Sequence, residues 1–345
     1  MVQIEGRPVL FRQIDLLKQQ GITDIIVVGG HLGQALRDAV AKEYGPSVQV
    51  PIESEPLGTG GALSLAPPQD DAPSLVISGD LLFEMDLAKL LAFHRQHRAD
   101  VTLTAHPNSH PRDADLLKLE PGSPRVEAIL LRPHPADLRY ANIVNASIAV
   151  VSPSVWSVIK AGQKANFEKD IVGTILKKGG RVFAYRSSEY IKDIGTPDRL
   201  QRAELDLRSG LVQARSLRNP QRAIFFEKSL FDQHPGKSLA ETLQDNSMVA
   251  AVSLANTSPY LSIALVAPDQ HLEVETALGD QGVRFDDLLL SQEIDAVKEL
   301  QERYNLDLAK SFLISNRGEA LPFAGINATQ CGPTLYDAVK RILNG

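Results

Sequence analysis

Apolar residues recur at helical spacing through "RPVLFRQIDLLKQQG", which stops at Gly21, and the β-branched run "ITDIIVVGG" follows as a short buried strand. The alternation continues with a helix at "GQALRDAVAKEY", a strand at "VQVPIES", a helix opening near Thr59, a strand at "SLVISGD" and a helix at "LAKLLAFHRQH". Strands that alternate with helices predict an α/β fold with a mostly parallel sheet covered on both faces. From Ala99 to Val151 the pattern turns to strands ("DVTLTAH", "DLLKLE", "VEAILLR", "NASIAVVS") broken by Pro-rich stretches, which predicts an antiparallel insertion or a second layer. Helices at "SPSVWSVIKAG" and "EKDIVGTILKKG", a strand at "RVFAYRS" and a helix from Pro197 complete a first domain over residues 1–208.

The polar, basic stretch "RSGLVQARSLRNPQR" then reads as a linker over residues 209–221. Beyond it, "AIFFE", "YLSIALVA", "FDDLLLS" and "KSFLIS" alternate with the helical patterns "HLEVETALGDQG", "IDAVKELQERYN" and "TLYDAVKRILNG". This is a second, smaller α/β domain over residues 222–345. No fixed-period repeat or low-complexity tract interrupts either part.

Composition narrows the function classes. A chain of 345 residues is long enough for two domains, each with its own core, and 43% hydrophobic with 23% charged residues is ordinary for a globular protein. The net charge of −6 and the lack of a basic stripe argue against a nucleic-acid partner. The single cysteine, Cys331, cannot close an internal disulfide, no signal-peptide pattern is visible, and no apolar run approaches the roughly 20 residues that span a bilayer, so a cytoplasmic, non-membrane setting is expected.

Ligands of open parallel sheets bind beyond the carboxyl ends of the strands, which directs attention to three segments. In "EPLGTGGAL", Gly58, Gly60 and Gly61 allow close backbone approach ahead of a helix N-terminus, where nucleotide phosphates, ribose or base could lie; the plainer reading is a tight strand-to-helix turn. "VISGD" ends an apolar strand in Asp80, and "YIKDIGTPDRL" follows a short strand with Asp193 before Thr196 and Pro197 open a helix. Two aspartates at two strand ends can share a hard cation such as Mg²⁺, although either alone would simply be a loop cap or a solvated carboxylate. His94 and His97, three apart on a helix, read as a solvated face rather than a metal pair, and Cys331 as a buried small hydrophobe.

Taken in order, "EPLGTGGAL", "SGD", "NASIAVVSP", "FEKDI" and "DIGTPDRLQRAE" resemble the sequence plan of the sugar-1-phosphate nucleotidyltransferases, most closely the branch acting on mannose or heptose 1-phosphate, over residues 1 to about 208. The resemblance implies a Rossmann-like domain that joins a nucleoside triphosphate to a sugar 1-phosphate and releases pyrophosphate. It assigns Gly58 and Thr59, with Glu53 or Glu55 nearby, to the nucleotide, and Asp80 and Asp193 to Mg²⁺. It also implies that Asn145 and Glu168 hydrogen-bond the sugar hydroxyls and that Lys169 pairs with the sugar's phosphate as the catalytic cation, although a lysine on a helix is most often a plain surface charge.

Members of that family open with a strand, the glycine-rich G-G-x-G-T-R and a lysine–proline pair ahead of a segment like "MVQIEGRPVL". By that comparison the chain lacks its first strand, expected in the middle of the sheet, and its glycine-rich loop. One lost oxyanion donor can cost about 3–4 kcal/mol of transition-state stabilisation, so turnover is expected to be close to undetectable. Two readings follow. One is a truncated enzyme of nucleotide-sugar biosynthesis; the other is a sugar-phosphate-binding or regulatory pseudoenzyme that docks on an active relative or forms a homo-oligomer. Ser147, where the family usually has glycine, and "RDADLLKL", where it usually has a tyrosine–glycine pair, bear on sugar specificity.

"RAIFFEKSLF" is similar to the opening of HAD-type phosphatases acting on heptose bisphosphates, whose D-x-D-G is replaced here by Glu227, Ser229 and Leu230. A glutamate displaces the nucleophile by about an ångström, an error worth roughly a hundredfold in rate. Ala267 stands where a threonine or serine is expected, and Ser315–Asn316 where a glycine–aspartate is. The resemblance therefore implies a HAD-like fold with degenerate motifs and no phosphatase activity.

Overall fold

The computed structural model describes residues 1–231, 237, 239–243, 246–290, 294–315, 326–330 and 334–344. Its first unit is organised by the strand Val144–Val151, whose alternate residues enter two different cores. Ile148 and Val150 pack with the helix Val9–Gln19 and Met85, whereas Ala149 and Val151 pack with Phe167, Val172 and Val182. A strand covered on both faces has no solvent side, which is why this stretch reads as a nearly unbroken apolar run.

The sheet around it is mixed, not mostly parallel. Val144–Val151 pairs antiparallel with Ser74–Ile77, with Val101–His106 and with Leu116–Leu119, and the last pairs antiparallel with Val126–Leu130. Within this sheet, the parallel pairing is Val182–Arg186 with Val101–His106. The segment expected as an insertion is thus the centre of the sheet, because a strand returning through a loop rather than a crossover helix runs antiparallel to its neighbour. Ile25–Ile26 and Val48–Gln49 form a separate parallel pair, and among the described residues Ser74–Ile77 is paired along one side only.

Local chemistry accounts for several helix ends. Asp86 caps Leu87–Gln96 by accepting from the amides of Ala88 and Lys89, and Thr196 with Pro197 opens Pro197–Arg208 as the sequence predicts. The pattern "EKDIVGTILKKG" forms a π-helical turn, Phe167–Val172, that runs into the helix Gly173–Lys177. His94 is not on a solvated face. It is 3% exposed, with Nδ1 2.9 Å from the Thr102 hydroxyl and Nε2 3.1 Å from that of Ser152, and burial holds it below the usual histidine range. His97 stacks against Phe93 and Phe183 at ring distances of 4.1 and 4.7 Å.

The second unit carries the parallel sheet, in the order Asp287–Leu289, Tyr260–Leu265, Arg222–Phe226, Phe312–Ser315, Asn327–Gln330. Ile224 and Phe226 face one core and Ala223 and Phe225 the other. The connecting residues 209–221 are polar in sequence but packed in space: Leu211, Val212, Arg215, Ser216, Leu217 and Gln221 are all buried. Charge pairs join the units. Arg186 lies 3.0 Å from Asp287, and Arg112 donates to both oxygens of Asp280 at 2.7 and 3.0 Å, where the Tyr140 hydroxyl also donates at 3.0 Å. Among the described residues no helix is long and apolar enough to cross a membrane.

Candidate functional site

A chain of short hydrogen bonds ties together the segments singled out from sequence. The Phe167 amide donates to Thr59 Oγ1 at 3.0 Å, and next to it Glu168 Oε1 accepts from Asn145 Nδ2 at 2.8 Å. Asn145 Oδ1 accepts from the Ser147 amide at 3.2 Å, and the Ser147 carbonyl accepts from the Ser78 amide at 3.0 Å. The Ser78 hydroxyl then donates to Asp80 Oδ1 at 2.5 Å, and the Asp80 carbonyl accepts from the Ile194 amide at 3.0 Å, directly after Asp193. Thr59, Asn145, Glu168, Asp80 and Asp193 therefore line one end of the first unit.

The glycine loop has a structural task as well as a candidate binding one. Gly58 adopts φ +73°, and a Cβ there would sit 2.7 Å from the Ala165 carbonyl oxygen; at Gly61 it would sit 2.3 Å from that of Gln163. The amides of Gly60 and Gly61 donate to the Ala165 carbonyl at 2.9 and 3.2 Å. The Gly60 and Gly61 amides are thus engaged within the chain, as a tight turn requires, and the glycines let segment 163–167 lie against the four-residue helix Gly58–Gly61. Glu53 Oε1 accepts from the Leu57 amide at 3.2 Å, which holds this loop's entry, while Glu55 and Thr59 are exposed.

Lys169 is exposed in the π-helical turn, whose start is fixed by Asn166: its side chain accepts from the Lys169 amide at 2.7 Å, and Asp170 accepts from the Asn166 amide at 2.8 Å. No ion pair to the Lys169 ammonium is formed among the described residues. Asp193 sits opposite Leu81 in a two-stranded antiparallel pair, Tyr190–Asp193 with Leu81–Glu84. Its Oδ1 accepts from the Gly195 amide at 2.6 Å and its Oδ2 from Arg199. No cluster of three or more metal-ligating side chains occurs among the described residues, so a cation here would rest on two carboxylates. Those oxygens are hard donors with lone pairs to spare, since a carboxylate can accept about four hydrogen bonds, and that suits a cation which keeps most of its waters.

Sequence reasoning missed three supporting residues. Gln13, in the buried face of its helix, donates to the carbonyls of Ser78 and Leu81 at 3.0 and 2.7 Å and so braces the turn carrying Asp80. Its signal is a long amide at a core position of an amphipathic helix. Arg199 and Ser78, the partners of Asp193 and Asp80, lie six and two residues from them, and nothing in their spacing distinguishes them. A cavity of about 330 Å³ lined by Gln213, Asn219 and Pro259 lies at the connecting segment, away from these residues.

In the second unit, Glu227 Oε2 accepts from the amide and hydroxyl of Ser229, and Glu227, Ser229 and Leu230 are buried. Asn316 and Cys331 lie outside the described residues.

Residues 1–210 match the protein family described as nucleotidyl transferase. A mannose-1-phosphate guanylyltransferase of Mycobacterium tuberculosis is 30% identical over 229 residues, covering 63% of this chain and 61% of its own length. A mannose-1-phosphate guanyltransferase of Pichia angusta is 29% identical over 204 residues, covering 57% of this chain and 55% of its own length. The chain thus spans less than two thirds of the curated relatives it matches. The crystal structure of HddC from Yersinia pseudotuberculosis complexed with GMP-PN superposes with a TM-score of 0.51 at 24% identity, over 60% of this chain and 88% of that one, a likeness of fold.

Proposed function

Because the chain belongs to the nucleotidyl transferase family, we propose that it joins a nucleoside triphosphate to a sugar 1-phosphate, with mannose or heptose 1-phosphate as the sugar. In this reaction a phosphate oxygen of the sugar 1-phosphate attacks the α-phosphorus of the nucleotide, the bond to the β-phosphate breaks, and pyrophosphate leaves. The attacking group is already an anion, so no strong base is needed; the task is to hold two polyanions in line and offset their charge. The observation that carries this reading is the Asn145–Glu168 pair, held 2.8 Å apart beside the exposed Lys169 and linked through Ser147 and Ser78 to Asp80.

In this reading Asn145 and Glu168 bind the sugar hydroxyls, Lys169 faces the sugar phosphate, and Gly58, Thr59 and Glu55 lie against the nucleotide. Asp80 and Asp193 would hold Mg²⁺, which would supply positive charge to the phosphates. For Asp193 that requires the Arg199 guanidinium to yield its place on Oδ2.

The test is pyrophosphate release with mannose 1-phosphate and with heptose 1-phosphate, GTP being the first nucleotide because the relatives above are guanylyltransferases. Release that depends on both substrates supports the proposal. A second reading, a sugar-phosphate-binding module, is favoured by the engagement of the Gly60 and Gly61 amides with Ala165, which leaves that loop fewer donors for a triphosphate. It expects a rise in Tm with sugar 1-phosphate and no pyrophosphate. Neither release nor stabilisation by any sugar 1-phosphate defeats both readings. For the second unit the reading is a HAD-like fold without phosphatase activity, and steady hydrolysis of a phosphomonoester by the isolated chain would refute it.

A further inference from the structure

A polar cavity of about 100 Å³ lies between the two units. Ser188, Glu189, Lys192 and Asp206 line it from the first unit, and Arg284 and Asp286 from the second.

Its charges do not balance. Asp206 is flanked by Lys192 at 2.7 Å and Arg202 at 2.9 Å, and Asp286 by Arg215 at 3.1 Å and Arg284 at 3.2 Å. Each of these carboxylates therefore carries two cations. Burial pushes the remaining carboxyl, Glu189, up to about 7, against the amides of Leu217 and Asp86 that donate to it, so near neutrality it supplies only part of a negative charge. His106 also lines the cavity, and burial followed by the nearby Arg284 pushes it down to about 3, so it adds no positive charge. Burial and the neighbouring Arg215 likewise hold Arg284 below the ordinary guanidinium range despite Asp286. The cavity lining therefore carries more cations than carboxylates, on side chains that are partly open to solvent: Lys192, Arg202 and Arg284 are 30%, 46% and 29% exposed.

A second observation is independent of charge. Ser188 is 7% exposed, and its hydroxyl oxygen has no hydrogen-bond partner. Buried hydroxyls are nearly always paired, so the unpartnered hydroxyl of a residue that lines this cavity has a hydrogen bond left to give to an acceptor.

We propose that this cavity binds one small tetrahedral oxyanion, phosphate in chemical class, held by the Ser188 hydroxyl and the surplus cations Arg284, Lys192 and Arg202. The volume decides the size of the ligand: about 100 Å³ admits a single ion with little water, whereas organic ligands of drug size occupy roughly 300–1,000 Å³. Because its walls come from both units, a bound anion fixes one unit against the other. The residues are distinct from Asn145, Glu168, Lys169, Asp80 and Asp193, so this proposal stands or falls apart from the transfer reaction.

The experiment follows the Tm of the full chain as inorganic phosphate replaces chloride at constant ionic strength, with the affinity taken from calorimetry. The expected result is a saturable rise of a few degrees at phosphate about a hundredfold above its Kd. Ser188→Ala and Arg284→Met should each weaken phosphate binding by about tenfold or more, while Lys169→Met and Asp193→Asn leave it unchanged. Ser188→Ala removes a hydroxyl that holds no other group, so it reads the ligand without disturbing the fold. Glycerol phosphate distinguishes the source: equal affinity means that the cavity takes the phosphate end of a larger molecule, and binding of inorganic phosphate alone means a free ion. No saturable shift beyond chloride, full affinity retained in both cavity variants, or loss of the shift in Lys169→Met would each overturn the proposal.

Discussion

Asn145 Nδ2 and Glu168 Oε1 stand 2.8 Å apart, joining the bulged end of the strand Val144–Val151 to the first residues of the turn Phe167–Val172. The bond fixes an amide and a carboxylate side by side before any ligand arrives, which lowers the ordering cost of binding. Asn145→Ala and Glu168→Gln are each expected to weaken sugar 1-phosphate binding by about tenfold or more, with little change in nucleotide affinity. Calorimetry with each substrate alone checks this, and an equal loss for both substrates would show a general collapse of the site instead.

Ser147 occupies φ +57° at the bulge between Asn145 and Ala149. A left-handed conformation costs an L-residue about 1–2 kcal/mol, and glycine loses about 0.5–1 kcal/mol through its freer unfolded chain. The first effect is the larger, so Ser147→Gly is expected to raise stability by about 0.5 kcal/mol. Because the Ser147 carbonyl accepts from the Ser78 amide and its own amide donates to Asn145, both through the backbone, the site's geometry should survive. Urea unfolding measures the change, and a fall in stability would mean that the hydroxyl does more at this position than the backbone strain costs.

Asp80 and Asp193 are proposed to share one divalent cation, and Arg199 now occupies Asp193 Oδ2. Asp80→Asn and Asp193→Asn should each raise the Mg²⁺ concentration for half-maximal nucleotidyl transfer by more than about tenfold, since each removes half of a two-carboxylate site. Arg199→Ala is expected to lower it by freeing Oδ2. Chelation with EDTA should abolish transfer, and restoring Mg²⁺ should recover it. Transfer that persists in EDTA, or Arg199→Ala that shifts the Mg²⁺ dependence upward, would remove these carboxylates from the metal's coordination.

Much of the local structure is legible in the chain because its causes are local. Thr196 and Pro197 announce a helix through a side-chain cap and a pre-set φ, and "NASIAVVS" announces a strand, though not its place at the centre of the sheet with both faces covered. Strand direction in the first sheet is not legible, since it depends on whether a connection crosses over or folds back. His94 shows the same limit: a histidine in a helix is polar by type, and only the hydroxyls of Thr102 and Ser152, supplied by other elements, make its burial tolerable. The candidate site was partly legible. Asp80 and Asp193 stand at strand ends, where their position drew attention to them, whereas Asn145 and Glu168 came only from the family resemblance. Gln13 and Arg199 act through partners, and their roles emerge only when the turn at Ser78–Leu81 and the end of the strand at Asp193 come into place. The packing of residues 209–221 was hidden for a similar reason, because Arg215 and Gln221 are buried only by virtue of Asp286, Ser258 and Ser216.

Glu189 gives a stability prediction with a definite sign. Burial raises its carboxyl from 4.5 to about 7 in the folded chain, although the amides of Asp86 and Leu217 donate to it at 2.7 and 2.8 Å. Between pH 4.5 and 7 the folded state therefore binds more protons than the unfolded one, so stability falls as pH rises through this window. The contribution is fully present below pH 4.5 and gone above pH 7, with an upper bound of about 3 kcal/mol. Glu189→Gln keeps an oxygen that accepts both amides and cannot ionise. It is expected to match the native chain near pH 4.5, to exceed it by about 1–3 kcal/mol at pH 8, and to flatten the dependence between. At pH 8 Glu189 is almost fully ionised, so the same substitution removes a nearly complete negative charge from the interunit cavity and should also tighten phosphate binding there. Urea unfolding of both chains across pH 4.5–8 provides the measurement. Parallel curves would show that Glu189 is ionised in the folded state throughout, its charge carried by the two amides and the surrounding cations.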